Sequence, residues 1–359
     1  MRIRDVTLKP FRNFENQHLA LDADRVLISG ANGLGKSNIL EAISYLSIGK
    51  SVRGSRDQMA VPHGCEHFDV QAQCHDGESE RKLRIYYARN TGKRSFCDES
   101  PLPKVSDLVG VFISVHFAPE DVSLVLRFPA ERRRALDILI SQASTSYLHD
   151  LQQYHRVLAQ RNRALRNANY GHGSEATEVE AWNGQFCTLG ARIRAQRLCA
   201  LDQLSEPFRA AYDRFSPARE LAELRYHGPL AASEDQLDGL RTQLEAMREA
   251  ERRRGHTLCG PHRDDLVFTL NEVAAHDFAS EGQLKTILIA WKIAEFEFLK
   301  ARTGKKPVLL FDDLFSELDE QRVERLLNQM DEFDQILLTT PNRLDNTVRE
   351  RFSEIRLAG

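Results

Sequence analysis

The stretch Ser29–Ile43, SGANGLGKSNILEAI, decides how the rest of the chain is read. Gly30 is followed by four residues and then by Gly35, Lys36 and Ser37, the spacing of a phosphate-binding loop. Each residue type has a physical reason to be there. Glycines let backbone N–H groups curl around phosphate oxygens, the following helix presents its positive end, and lysine adds a compact cation. Gly30, Ala31, Asn32, Gly33, Leu34, Gly35, Lys36, Ser37 and Asn38 are therefore the expected nucleotide-binding residues, with Ser37 supplying an oxygen to Mg2+. A bare turn would also use glycine. The context argues against it, because RVLIS reads as an apolar strand just before the loop and NILEAISYL as a helix just after.

A nucleotide machine needs further parts, and two later stretches can supply them. In PVLLFDDLFSELD, Pro307–Asp319, an apolar strand runs into two carboxylates. Asp312 then falls at the carboxyl edge of a parallel sheet, where ligands bind in such folds, and is the expected second metal ligand. Asp313 is next along and is the expected catalytic base, reaching a water in line with the terminal phosphate, while Lys36 steadies the phosphate charge. In FASEGQLKTILIAWKIAEFEFL, Phe278–Leu299, a serine and a glycine precede a long apolar helix. Ser280 and the N–H groups after it form either a second phosphate-ready helix start or a capped core helix.

Composition bounds the remaining possibilities. The chain has 359 residues, 42% hydrophobic and 28% charged, the profile of one large or two modest globular domains. No apolar run approaches a membrane span and the opening MRIRDVTLKPF lacks the core of a secretion signal, so a cytoplasmic location away from membranes is expected. The cysteines at 65, 74, 97, 187, 199 and 259 show no metal or disulfide spacing and read as mostly buried thiols. Net charge is −3, yet residues 125–170 carry eight arginines against three acids, a local +5, whereas residues 305–359 carry eight basic against twelve acidic residues, a local −4.

Short strands fill the first part of the chain: IRDVTL, RVLISG, HFDVQAQCH and RKLRIYYAR, then GVFISVHF at Gly110–Phe117. From about Glu131 to Ala168 one uninterrupted helical stretch is expected, with Leu151, Tyr154, Leu158 and Leu165 as a packing seam. After the polar break GHGSEATE, Gly171–Glu178, Trp182, Phe186, Leu189 and Ile193 resume that spacing and predict an antiparallel helical hairpin. Such a hairpin is either an ordinary helical subdomain or a projecting arm. Another helix is expected over about Glu234 to Arg253, and strands return as LVFTL, PVLLF and QILLTT. The expected architecture is an α/β head, residues 1–128 and 255–359, interrupted by a helical insertion over 129–254.

Together these motifs resemble the ABC-type ATPase heads. NGLGKSNILEAI resembles the phosphate loop of the SMC and RecF group, SEGQ the ABC signature, SELD (Ser316–Asp319) the D-loop and LLTTP (Leu337–Pro341) the switch strand. CGPHRDDL (Cys259–Leu266), FAPEDVSLV (Phe117–Val125) and QRNRALR (Gln160–Arg166) are similar to stretches characteristic of the RecF family, over essentially the whole chain and in order. The resemblance implies ATP and Mg2+ as cofactors and an ATP-dependent homodimer. Lys36 and Ser37 would act within one subunit, and Ser280, Gly282 and Gln283 on the nucleotide of the other, with Asp319 and Thr340 in the D-loop and switch. It also implies a weak, DNA-stimulated ATPase that recognises double-stranded and gapped DNA and helps load the RecA recombinase with RecR and RecO. Arg53, Arg56, Arg161, Arg163 and Arg166 are candidate DNA phosphate contacts, or else a solvated face.

The chain departs from the family pattern in places. Leu284 and Lys285 follow SEGQ where glutamine and arginine are usual, Glu281 brings an anion to the signature, and Pro10 stands where asparagine usually precedes Phe11. Asp313 is one methylene shorter than the glutamate of most ABC proteins, which predicts slow hydrolysis. A transporter-type ABC subunit would share the head motifs but not an arginine-rich helical insertion. A structural SMC-like protein would need far longer heptad runs.

Overall fold

Three apolar runs that the sequence places far apart, RVLIS, VLLFD and ILLTT, lie side by side in one parallel sheet. The sheet order is Ser353–Arg356, Arg25–Ser29, Ile336–Thr340, Val308–Asp312 and Ser114–Phe117, every pair parallel. Val308–Asp312 and Ile336–Thr340 are buried at every position, as expected of strands covered on both faces. In the register of these strands Asp312 pairs with Thr339, and Thr340 with Ser29. The end of the strand entering the glycine loop and the end carrying the carboxylate therefore emerge at the same edge. This computed structural model describes residues 1–126, 128–168, 175–216, 220–228, 235–340 and 346–358.

A second, antiparallel sheet runs in the order Gln17–Ala20, Arg2–Leu8, His67–His75, Glu80–Ala88, Gly92–Cys97 and Ser100–Pro101. Its later strands alternate buried and open positions, the period of a sheet with one wet face. Helix Lys36–Ile48 is held to this sheet by edge-to-face contacts of Tyr45 with Phe11 and Phe68, at 5.8 and 5.4 Å between ring centres. GVFISVHF yields only the four-residue strand Ser114–Phe117, because Gly110 turns the chain with φ 89°. These elements belong to one compact unit, Met1–Val122, Pro207–Glu220 and Ala279–Gly359.

The other unit comprises Ser123–Glu206 and Leu221–Phe278, so the division differs from the expected insertion of 129–254. Ala222–His227 pairs antiparallel with Asp265–Leu270 along its whole length, which ties residues beyond 254 to the helices. The expected continuous helix from Glu131 to Ala168 is two helices, Pro129–Ala143 and Thr145–Ala168. Ser144 separates them with extended backbone, and its hydroxyl accepts a hydrogen bond from the Tyr147 N–H at 3.2 Å. A serine that caps the next helix competes with continuing the previous one. Helix Glu175–Phe215 runs antiparallel to Thr145–Ala168: Arg161 meets Asn183, Tyr154 meets Phe186 and Tyr147 meets Arg197. The first four residues of the expected connection GHGSEATE lie outside the described residues, as do Arg127 and Pro341. A further helix, Gln236–Arg254, starts at its cap Asp235 and joins the hairpin through Arg161 and Glu251.

The stretch CGPHRDDL is the keystone of this second unit. Gly260 adopts φ 115°, and a Cβ there would lie 2.7 Å from the Tyr154 hydroxyl oxygen and 2.9 Å from the Phe186 ring, so only glycine fits. Asp264 accepts from Arg194 at 2.7 and 2.9 Å and from the Tyr226 hydroxyl at 2.6 Å. Asp265 accepts two bonds from Arg132, and Arg197 donates to the Pro261 carbonyl at 2.7 Å. Much of the positive charge of this region is thus consumed internally. Among the described residues no helix is long and apolar enough to cross a membrane.

Candidate nucleotide site

The glycine loop leaves strand Arg25–Ser29 and enters helix Lys36–Ile48 at Gly35, whose φ is 92°. A Cβ on Gly35 would stand 2.4 Å from the Asn13 amide oxygen and 2.8 Å from the Phe14 ring, so the loop closes only around glycine. Asn13 fastens it by donating to the Leu34 carbonyl at 3.1 Å and accepting from the Asn38 amide at 2.8 Å. The Lys36 ammonium is folded into the loop, donating to the Gly30 and Ala31 carbonyls at 2.8 and 2.9 Å. Burial lowers its pKa, against the opposing pull of Asp313 and Asp312. Ala31, Asn32 and Gly33 form the exposed crest.

At the shared sheet edge, Asp312 is 4% exposed and its Oδ1 accepts from Ser37 Oγ at 2.7 Å and from Thr339 Oγ1 at 2.6 Å. The two residues expected to hold magnesium are therefore in direct contact, although 275 positions separate them. Asp313 adopts left-handed backbone, φ 49°, and its N–H donates to the carbonyl and the hydroxyl of Thr339, each at 3.1 Å. Aspartate tolerates this region better than most side chains, and such outliers gather at functional sites. Arg53 points its guanidinium at the same cluster, 3.4 Å from Asp312 Oδ2, 3.3 Å from Asn38 Oδ1 and 3.6 Å from Glu41 Oε2. Arg53, expected as a DNA phosphate contact, thus faces the pair expected to hold magnesium. Arg56 is exposed.

Ser280 caps helix Glu281–Thr303, and the cap is reciprocal: the Gln283 N–H donates to Ser280 Oγ at 3.3 Å, and the Ser280 N–H donates to Gln283 Oε1 at 2.7 Å. Gln283 is further tied to Glu220, to which its amide donates at 2.6 Å. Gly282 follows at the start of the helix. The anion of Glu281 is matched by Lys285, 2.8 Å away, so two departures from the family pattern compensate each other, and the lysine lowers the glutamate's pKa. Asp319 caps the next helix, Glu320–Gln329, accepting from the Arg322 N–H at 3.0 Å. Thr340 ends its strand buried.

Several partners were not singled out by the sequence. Thr339, Asn13 and Arg322 each hold an expected site residue, and Glu41, fully buried, anchors Arg12 at 2.6 and 3.0 Å. Only Thr339 had a signal, as one of two threonines ending a strand beside the acids.

Of the basic candidates in the helical unit, Arg161 is corrected. It is 2% exposed and donates inside the unit to Glu251 Oε2 at 2.6 Å, Thr257 Oγ1 at 2.7 Å and Asn183 Oδ1 at 2.9 Å. A guanidinium so enclosed is shielded from a phosphate outside the unit. Arg163 and Arg166 are exposed on the same helix, as is Arg156.

The chain matches the RecF/RecN/SMC N terminal domain family over residues 2–356. It is 36% identical over 355 residues to the DNA replication and repair protein RecF of Chloroherpeton thalassium, covering 96% of both chains. It is 35% identical over 336 residues to the protein of that name from Acetivibrio thermocellus, covering 92% of this chain and 90% of that one. A solved structure of the recombination mediator protein RecF-ATPrS in the RecFOR pathway superposes with a TM-score of 0.90 at 28% identity, covering 99% of this chain and 96% of that one. The Smc head domain of Pyrococcus furiosus superposes at 0.57 with 15% identity, over 99% of this chain and 92% of that one, and shares the fold. By its glycine loop, its aspartate edge and this similarity along its whole length, the chain belongs to the RecF/RecN/SMC family of ABC-type ATPase heads, and within it to the RecF proteins.

Proposed function

We propose that this chain binds ATP with Mg2+ at the loop Gly30–Asn38 and uses it to close two copies head to head on double-stranded or gapped DNA. The observation that carries this reading is the contact of Ser37 with Asp312 at the mouth of an open helix N-terminus. Two hard oxygens of that kind, beside a site for phosphate, suit magnesium, which binds through few protein ligands plus the phosphates it bridges. The ion would neutralise phosphate charge there. Lys36, now held by two carbonyls, exchanges them for phosphate oxygens at small cost, because it trades one set of acceptors for another. Arg53 lies where a terminal phosphate would meet a second cation.

Asp313, displaced from the strand by its left-handed backbone, is the group to accept a proton from the attacking water. Its short side chain makes hydrolysis slow, suited to resetting a dimer. Ser280, Gly282 and Gln283 form a polar helix start that serves the nucleotide of the second copy, with Asp319 and Thr340 as its D-loop and switch. The naming of similar proteins as RecF, and of one as a mediator in the RecFOR pathway, supports a role in recombinational repair with RecR and RecO, upstream of RecA loading. Arg156, Arg163 and Arg166 present exposed charge of the kind that binds duplex phosphates without reading bases, and Arg56 is a further exposed candidate in the head.

The test is equilibrium binding of a fluorescent ATP analogue in magnesium, together with DNA anisotropy across a salt series. Lys36→Met should abolish nucleotide binding in a folded protein. Replacing Arg156, Arg163 and Arg166 with glutamine should flatten the salt dependence of DNA affinity while nucleotide binding persists. Unchanged nucleotide affinity in Lys36→Met contradicts the reading.

A further inference from the structure

Arg322 lies in none of the motifs that carry the proposed function, yet it joins two of them. It occupies the first turn of helix Glu320–Gln329, just after the D-loop aspartate. Its backbone N–H donates to Asp319 Oδ1 at 3.0 Å, and its guanidinium pairs with the other oxygen of that carboxylate. The rest of the fork turns toward the signature helix. Nε and Nη2 both donate to Thr286 Oγ1, at 3.1 and 2.9 Å, and Nη2 also donates to the Gly282 carbonyl at 3.1 Å. Thr286 closes the triangle by donating to the same Gly282 carbonyl at 2.9 Å.

The guanidinium lies directly against the first turn of the signature helix. A Cβ on Gly282 would stand 3.4 Å from Arg322 Nη2, in contact with the guanidinium. Helix carbonyls in the first turn ordinarily serve only the helix itself, so a guanidinium on Gly282 fixes that turn in place. Lysine could not do the same, because a point cation cannot bind an aspartate and two acceptors on another helix in fixed directions. The side chain is 16% exposed, so water competes weakly.

We propose that Arg322 is a positioning residue that locks the D-loop and the signature helix start into one rigid element. This rests on the reading that the signature and D-loop of one copy meet the nucleotide of another. The nucleotide approaching from the second copy then meets Ser280, Gly282 and Asp319 at a fixed spacing and need not order them. Arg322 itself touches no phosphate. Its loss weakens closure of the dimer without weakening the loading of ATP onto its own subunit.

The test uses the full chain, measuring fluorescent ATP affinity at protein concentrations where it is monomeric and dimer formation by sedimentation in Mg-ATP. Arg322→Gln should leave monomer nucleotide affinity within about twofold and raise the dimer dissociation constant about 10- to 100-fold, the usual worth of a charge-assisted network. Thr286→Val keeps the shape and the Asp319 pair but removes one shared acceptor, and should shift the dimer constant in the same direction by about fivefold. It also serves if Arg322→Gln lowers the melting temperature too far to be read.

Mixed dimers separate positioning from general damage. With Lys36→Met in one subunit, only the other subunit loads ATP. Arg322→Gln should then impair closure when placed in the Lys36→Met subunit, which supplies the signature, and not when placed in the loaded one. Equal effects in both placements, or parental dimerisation of Arg322→Gln, overturn the inference alone. A parental chain that binds ATP and stays monomeric overturns the sandwich reading and this inference with it.

Discussion

Arg161→Ala separates a structural arginine from a DNA-binding one. Arg161 spans three segments of the helical unit: its ion pair reaches Glu251, its other donors reach Thr257 and Asn183, and its guanidinium lies 5.3 Å from the Phe186 ring centre. Truncation leaves the Glu251 carboxylate in a site where its side chain is 1% exposed, retaining the Leu258 N–H at 2.8 Å as its remaining close donor. Removing one partner of a buried pair costs about 3–5 kcal/mol, and the surviving backbone bond places this case near 3 kcal/mol. For a unit of this size each kcal/mol lowers the midpoint by about 3 °C, so a fall of about 10 °C is expected for its transition. Replacing Arg161 with methionine and Glu251 with glutamine together should recover most of the loss, because no unpaired charge remains. The assay is thermal unfolding followed by circular dichroism, in parallel with DNA anisotropy. An Arg161→Ala protein that melts like its parent but loses DNA affinity and salt slope would refute the structural assignment.

The two acids of the sheet edge should fail differently. Asp312→Asn removes a hard anionic ligand and should weaken magnesium-dependent nucleotide binding, whereas Asp313→Asn should bind normally and hydrolyse about 10²–10⁴-fold more slowly, read by phosphate release. Gly35→Ala puts a Cβ 2.4 Å from Asn13 at φ 92° and should lower ATP affinity about 5- to 150-fold, equivalent to the 1–3 kcal/mol of such backbone strain, and unchanged affinity would show that the loop relaxes freely. His262 is half-buried with the Tyr154 hydroxyl 2.7 Å from its Nδ1, and desolvation pushes its pKa down from 6.5 to about 4. The unfolded chain binds the proton first, so stability is complete above about pH 6.5 and declines as the pH falls toward 4, by at most about 3 kcal/mol. His262→Gln should remove that part of the slope in urea titrations at stepped pH.

The sequence made the head legible because its parts obey local rules. A strand running into a glycine string, or an apolar strand ending in two acids, is visible within a dozen residues, and the parallel sheet then brings the strand ends to one edge. Pairings across long separations were not legible. Nothing near Arg161 in sequence announces Glu251 or Thr257, so a basic stretch looked available for phosphate when several of its charges are spent inside the unit. The proximity of Arg53 to Asp312 was hidden in the same way, by the length of chain between them. The helix break at Ser144 did have a signal in the run ASTS, which offers caps as readily as helix interior. The extent of the second unit depended on the pairing of Ala222–His227 with Asp265–Leu270, which alternation alone cannot assign to a partner.

The central claim is that ATP held by one copy is completed by the signature of another. It is tested most directly by light-scattering mass in Mg-ATP for the parental chain, Asp313→Asn, and Asp313→Asn combined with Ser280→Arg. The account predicts that the parental mass moves from 40.9 kDa toward twice that value, that Asp313→Asn accumulates as the dimer, and that Ser280→Arg returns it to the monomer with ATP still bound. An Asp313→Asn protein that holds ATP and remains at 40.9 kDa would contradict it.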